Sequence, residues 1–108
     1  MKYSMFVGKW QPFHEGHRWL IEERLKLKKN ILIGIRETEN PSYSPNEIKM
    51  QVSKLYPNEV KDGKIKFIEI PDIESINYGR YVGYDVIEHK PPERIKEISG
   101  TKIRAENG

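Results

Sequence analysis

Gly8-Lys9-Trp10-Gln11-Pro12-Phe13-His14-Glu15-Gly16-His17 joins a short apolar run, residues 3–7, to a segment of helical character that begins at Glu15 or His17. The run before it is rich in β-formers and bounded by Gly8, which reads as a strand. After it, Trp19, Leu20, Leu25 and Leu27 alternate with Arg18, Glu22, Arg24, Lys26 and Lys28. Glu15 falls in the first turn of that helix and Lys26, Lys28 and Lys29 in its last, as the macrodipole favours, and Asn30 is its expected end. Two histidines and a glycine therefore sit at a strand-to-helix turn. Free backbone N–H groups and the helix dipole favour an anion at such a turn.

Working outward, Ile31-Leu32-Ile33-Gly34-Ile35 is a near-continuous apolar run, the pattern of a strand covered on both faces. Asn40-Pro41 and Ser44-Pro45 mark a polar loop. Ser44 is a suitable cap for a helix with Pro45 at its first position, running through Ile48, Val52 and Leu55 until Pro57-Asn58 stops it. A turn at residues 61–64 leads to a third strand over 65–70. Residues 71–83 read as irregular, 84–88 as a possible fourth strand and 95–98 as a short fifth, with a helix starting at Ser99. Strand, helix, strand, helix, strand predicts an α/β fold with a parallel sheet, whose ligands bind at the carboxyl ends of the strands.

Composition narrows the function classes. The 108 residues form one expected domain, 1–108, with 32% charged and 36% hydrophobic residues. The net charge of +3 suits phosphorylated small molecules and is too weak to argue for nucleic acid. There is no cysteine, so disulfides and thiolate metal sites are excluded. No stretch approaches the roughly 20 apolar residues of a membrane span, and residues 2–7 are too short an apolar opening for a signal peptide. A cytoplasmic protein that does not bind membranes is expected.

His14-Glu15-Gly16-His17 has its histidines at i and i+3, whereas the zinc-protease helix needs i and i+4, and no third ligand is evident, since His89 is remote. No metal ligands are assigned. Neither the Walker A loop nor the dinucleotide fingerprint is present. The two histidines are then either an anion clamp or simply a capped and packed turn. Near the other end, Ile98-Ser99-Gly100-Thr101-Lys102-Ile103-Arg104 is again a strand followed by a helix start, with two capping hydroxyls and two cations. Alone it reads as an ordinary capped helix with a basic face.

Taken together, the two segments resemble the paired (His/Thr)-x-Gly-His and Ile-Ser-x-Thr-x-x-Arg signatures of the nucleotidyltransferase superfamily. Gln11-Pro12-Phe13-His14 is closer to the nicotinamide-mononucleotide adenylyltransferases than to cytidylyltransferases, and Glu39-Asn40-Pro41-Ser42-Tyr43-Ser44 resembles their Asn-Pro-Phe-Thr loop. The following Glu-Arg pair of that group is half kept, as Glu47-Ile48. The resemblance implies a Rossmann-like nucleotidyltransferase fold with a parallel sheet flanked by helices. It implies transfer of AMP from ATP to a phosphorylated acceptor, with magnesium on the triphosphate and pyrophosphate released. His14, His17, Lys9 and Arg104 would be the catalytic groups. Gly8, Trp10, Phe13, Gly16, Ser99, Thr101 and Lys102 would bind the nucleotide, Trp10 by shielding the site. Arg36 follows a buried strand at the ligand edge. It reads either as a solvated loop arginine or, with Asn40, Tyr78 and Arg80, as an acceptor contact. Trp19 is expected in the core and His89 on the surface. Cytidylyl transfer, adenylyl transfer involving an oxyanion such as sulfate, and a nucleotide-binding module without turnover are the alternatives. Because relatives continue beyond the equivalent of Gly108, a homo-oligomer covering exposed sheet surface is also expected.

Overall fold

The computed structural model describes residues 2–80 and 83–96. The strand expected to end at Ile98, the helix start at Ser99, and the candidate residues Ser99, Thr101, Lys102 and Arg104 lie outside the described residues.

Three strands, β1 (Tyr3–Gly8), β2 (Asn30–Arg36) and β3 (Ile65–Ile70), form a parallel sheet in the order β1-β2-β3. The pairings run from Tyr3↔Asn30 to Gly8↔Ile35 and from Ile31↔Ile65 to Arg36↔Ile70. Parallel neighbours require crossovers, and the helices α1 (Glu15–Leu25) and α2 (Pro45–Leu55) supply them. The architecture is the α/β arrangement expected from the alternation of elements.

Strand alternation sends Ile31, Ile33 and Ile35 to one face of the central strand, with Ile65 beside them. They meet Ile21 of α1 and Ile48 and Val52 of α2 in one cluster, and six of these side chains (Ile35 excepted) are essentially free of solvent. Burial of each contributes about 1.5–3 kcal/mol. On the opposite face Met5 and Ile68 stay 50% and 44% exposed. The expected cover on both faces is thus only partly present among the described residues.

Several expected boundaries are corrected. Helix α1 ends at Leu25, because Lys28 turns into the left-handed region at φ 60° and the N–H groups of residues 27–29 close onto the Arg24 and Leu25 carbonyls. Asn30 is consequently the first residue of β2. The buried face of α1 follows an i, i+4 stripe through His17, Ile21 and Leu25, which leaves Trp19 half-buried rather than in the core and Leu27 exposed beyond the helix. Helix α2 does end at Leu55, before Pro57 as expected, but Pro57, as a helix-compatible first residue, opens a further short helix, α3 (Pro57–Lys61). Residues 84–88 form no strand and are exposed, with no partner strand beside them. Residues 93–96, part of them expected as strand, instead form α4 (Glu93–Lys96), whose Ile95 is buried near the start of α1. Ser44 caps α2 as expected, accepting from the Glu47 N–H while Glu47 accepts from the Ser44 N–H.

Candidate functional site

The turn after β1 is built from its buried residues outward. Trp10 adopts φ 57°, which turns its indole inward, and Nε1 donates to the Gly34 carbonyl at 3.0 Å. The ring is 3% exposed, so it cannot shield the site from above; it lies beneath it, edge-on to His17 at 4.6 Å between centroids. Phe13 is also in the core, and its backbone N–H is spent on Gln51 Oε1 of α2 at 3.0 Å. Gly8 packs against the Trp10 ring, which a Cβ would approach to 3.1 Å. Lys9 is exposed.

On this platform His14 and His17 cap helix α1. His14 is the N-cap, and its Nδ1 accepts the Gly16 N–H at 3.1 Å. His17, three residues on, accepts the His14 N–H at Nδ1 at 3.2 Å. Their rings stack at 3.7 Å and 19°. A backbone N–H can only donate, so both Nδ1 atoms are unprotonated acceptors and each neutral ring carries its proton on Nε2. Gly16 is required by this packing, since a Cβ there would stand 2.9 Å from His14 Cε1.

Burial holds both imidazoles neutral. It lowers the pKa of His14, and it lowers that of His17 to about 3, with the neighbouring His14 adding to the effect and a hydrogen bond to the Pro12 carbonyl opposing it. His14 is the more open of the two. It lines a cavity of about 490 Å³ together with Phe13, Arg18, Trp19 and, from α4, Arg94. Glu15 and Glu22 also face that cavity. Glu15 pairs with Arg94 at 3.0 Å, and Glu22 with Arg18 at 3.6 Å and with the Tyr56 hydroxyl at 2.8 Å.

A second cavity of about 500 Å³ opens at the carboxyl ends of β2 and β3. Arg36 lines it. Its Nε is buried without a hydrogen-bond acceptor and lies 3.4 Å from Asp72 Oδ1. Gln11, Tyr43, Glu37 and Glu69 share the lining. Asn40 sits at φ 47° in the exposed loop beside it, while Tyr78 and Arg80 are exposed and line neither cavity. The structure therefore brings His14, Gly16 and His17 together, sets Arg36 in a separate crevice, and leaves Tyr78 and Arg80 apart. His89 is half-buried, stacked on Phe6 at 5.8 Å, rather than free on the surface. Sequence reasoning missed Gln11 and Gln51, which brace the turn from the β2–α2 side. Gln11 was visible only as part of a motif, and nothing in the sequence distinguishes Gln51.

Comparison of the sequence with curated proteins finds relatives that share one name. A nicotinamide-nucleotide adenylyltransferase of Methanococcus aeolicus is 27% identical over 94% of this chain and 74% of its own length. The chain is thus similar in sequence to proteins named nicotinamide-nucleotide adenylyltransferase. A protein of the same name from Methanococcus maripaludis is 26% identical over 94% of this chain and 75% of its own. One from Thermococcus sibiricus is 28% identical over 65% of this chain and 41% of its own. No family model matches the chain. No helix among the described residues is long and apolar enough to cross a membrane.

Proposed function

We propose that this chain, as a single nucleotidyltransferase domain, transfers an adenylyl group from ATP to a phosphorylated small-molecule acceptor. The observation that carries the reading is the paired-histidine cap: two neutral imidazoles whose Nδ1 atoms are occupied by helix α1, with His14 lining a cavity. The relatives' names supply the direction, with nicotinamide mononucleotide as the first acceptor to try.

In the proposed reaction an acceptor phosphate oxygen attacks the α-phosphorus of ATP. The bond from that phosphorus to the bridging oxygen breaks, and pyrophosphate leaves with the electron pair. The substrate brings its own nucleophile, so the protein aligns the groups and neutralises charge. Nε2–H of His14 would donate to a phosphoryl oxygen at the start of α1, that of His17 would do so on leaving the Pro12 carbonyl, and Lys9 would stand at the entrance. Ser99, Thr101, Lys102 and Arg104 are assigned to the β- and γ-phosphates, and Arg36, Asn40, Tyr78 and Arg80 to the acceptor. The unsatisfied Nε of Arg36 supports its place in that group.

Magnesium would enter on the triphosphate, held by substrate oxygens and water. The carboxylates near His14 fit that division of labour, because Glu15 and Glu22 are already engaged by arginines. The chain is assigned to the cytoplasm as a homo-oligomer. The test is pyrophosphate release and product mass with ATP or CTP against a panel of phosphorylated acceptors that includes nicotinamide mononucleotide. An adenylylated product is expected. Thermal stabilisation by ATP without any product would replace this reading with a binding module.

A further inference from the structure

Gln11 lines the crevice at the ends of β2 and β3, yet its amide is already committed to the protein backbone. Its Oε1 accepts the Tyr43 N–H at 2.8 Å, and its Nε2 donates to the Tyr43 carbonyl at 2.9 Å and to the Lys9 carbonyl at 3.3 Å. Both amide hydrogens are spent, and one oxygen lone pair remains. The two-way pairing also fixes the orientation of the amide, since a flipped group would oppose donor to donor and acceptor to acceptor.

The bonds span 32 residues of sequence. They tie the turn that carries His14 to the 37–44 loop, whose Thr38, Pro41 and Tyr43 wall the crevice opposite Glu69 and Pro71. At its other end the loop is tethered by the Glu37 N–H to the Ile70 carbonyl at 2.9 Å. On the far side of the same turn, the Phe13 N–H is held by Gln51.

We propose that Gln11 is a positioning residue: its side-chain amide latches the 37–44 loop to the histidine-bearing turn, and so sets the acceptor crevice in register with the phosphate contacts. The inference rests on the proposed adenylyl transfer and names what aligns its two halves. A ligand in the crevice meets walls that Gln11 holds, with little of the amide left to contact it.

The test compares the wild type with Gln11→Glu and Gln11→Asn. The carboxylate has no hydrogen for the Tyr43 and Lys9 carbonyls, and the shorter amide cannot span to both Tyr43 groups. Loosening the loop should raise the acceptor KM about tenfold in both variants while the KM for ATP stays within about twofold, the asymmetry expected when one subsite loses its preorganisation. Amide hydrogen exchange at residue 43 should accelerate in Gln11→Asn. Equal change in both KM values, or no change in either, overturns the latch. If the wild type itself makes no product with any acceptor, the parent reading falls. The latch then stands on exchange alone, and unaltered protection of the 37–44 loop in Gln11→Asn refutes it.

Discussion

Replacing Gly16 with alanine separates the two jobs of the His14 ring. The added Cβ would stand 2.9 Å from His14 Cε1 and 3.1 Å from Nδ1, closer than packed carbons come, while Ile95 at 3.8 Å is an ordinary contact. The neighbour that must move is the imidazole. Swinging it away breaks the bond from the Gly16 N–H and the 3.7 Å stack on His17. Loss of an N-cap costs about 1 kcal/mol. Alanine in place of glycine inside a helix returns at most about 1 kcal/mol. These terms nearly cancel, so the melting temperature of Gly16→Ala should stay within about 5 °C of wild type, taking about 4–8 °C per kcal/mol for a domain of this size. Turnover should not be spared. If His14 Nε2–H donates to the transferring phosphoryl group, displacing it should cost about 10²–10³-fold, the usual loss for one preorganised donor. Pyrophosphate release at saturating substrates, read beside thermal denaturation, checks both halves. The double variant Gly16→Ala/His14→Ala should be no slower than His14→Ala, because both remove the same group. Turnover of Gly16→Ala within threefold of wild type, or fully additive losses, would refute the reasoning.

Acid should loosen the fold through His17. Its folded pKa of about 3 lies below the ordinary 6.5, so between those values the unfolded chain binds a proton that the folded chain does not. Stability is therefore fully present above pH 6.5 and lost as pH falls toward 3, at up to about 1.4 kcal/mol per pH unit from this group. His17→Gln keeps an acceptor for the His14 N–H, as glutamine does in ordinary capping boxes, and should flatten the fall in urea midpoint between pH 7 and 5. An identical fall in both proteins would show that His17 is not its source. The half-exposed Met5 and Ile68, on the sheet face left open by the described residues, should drive self-association, seen by sedimentation velocity as a species larger than a monomer that Met5→Lys/Ile68→Lys converts to monomer. A wild type that sediments as a strict monomer at tens of micromolar contradicts it.

Periodicity and turn chemistry were legible where local physics decides structure. The three strands and the Ser44-Pro45 helix start fall within a residue of expectation, since apolar runs and capping residues carry their own signal. Residues 84–88 read as a possible strand but form none, because local sequence cannot say whether a neighbour is available to pair with. Glu93–Lys96 was missed because its one buried side chain, Ile95, is fixed by the start of α1, some 80 positions earlier in the chain. Trp10 shows the limit most sharply. An aromatic beside a phosphate-binding motif reads as a lid, and only its left-handed backbone turns it down to the Gly34 carbonyl. The histidine turn was legible as chemistry, but the glutamines bracing it act through contacts 32 and 38 residues away and leave no local pattern.

Capping and phosphate binding ask opposite things of an imidazole, and that conflict fixes where the positive charge must come from. Each histidine gives Nδ1 to a backbone N–H, so a second proton would have to displace a helix-capping bond as well as enter a desolvated site. These rings can offer a neutral Nε2–H but cannot become cations without loosening α1. A polyphosphate brings several negative charges, which neutral donors orient and do not neutralise. The charge would have to be met by the cationic side chains: exposed Lys9, Arg18 and Arg94 around the His14 cavity once they leave Glu22 and Glu15, and the Lys102 and Arg104 pair that the sequence motif points to. Rate should then be insensitive to pH through the histidine range, with any acid limb below pH 6 accompanied by loss of helix α1 rather than by gain of a proton at an intact site. Circular dichroism recorded alongside the rate profile distinguishes the two, and an acid limb with unchanged helicity would mean that the histidines titrate in place and that the capping bonds do not govern their protonation.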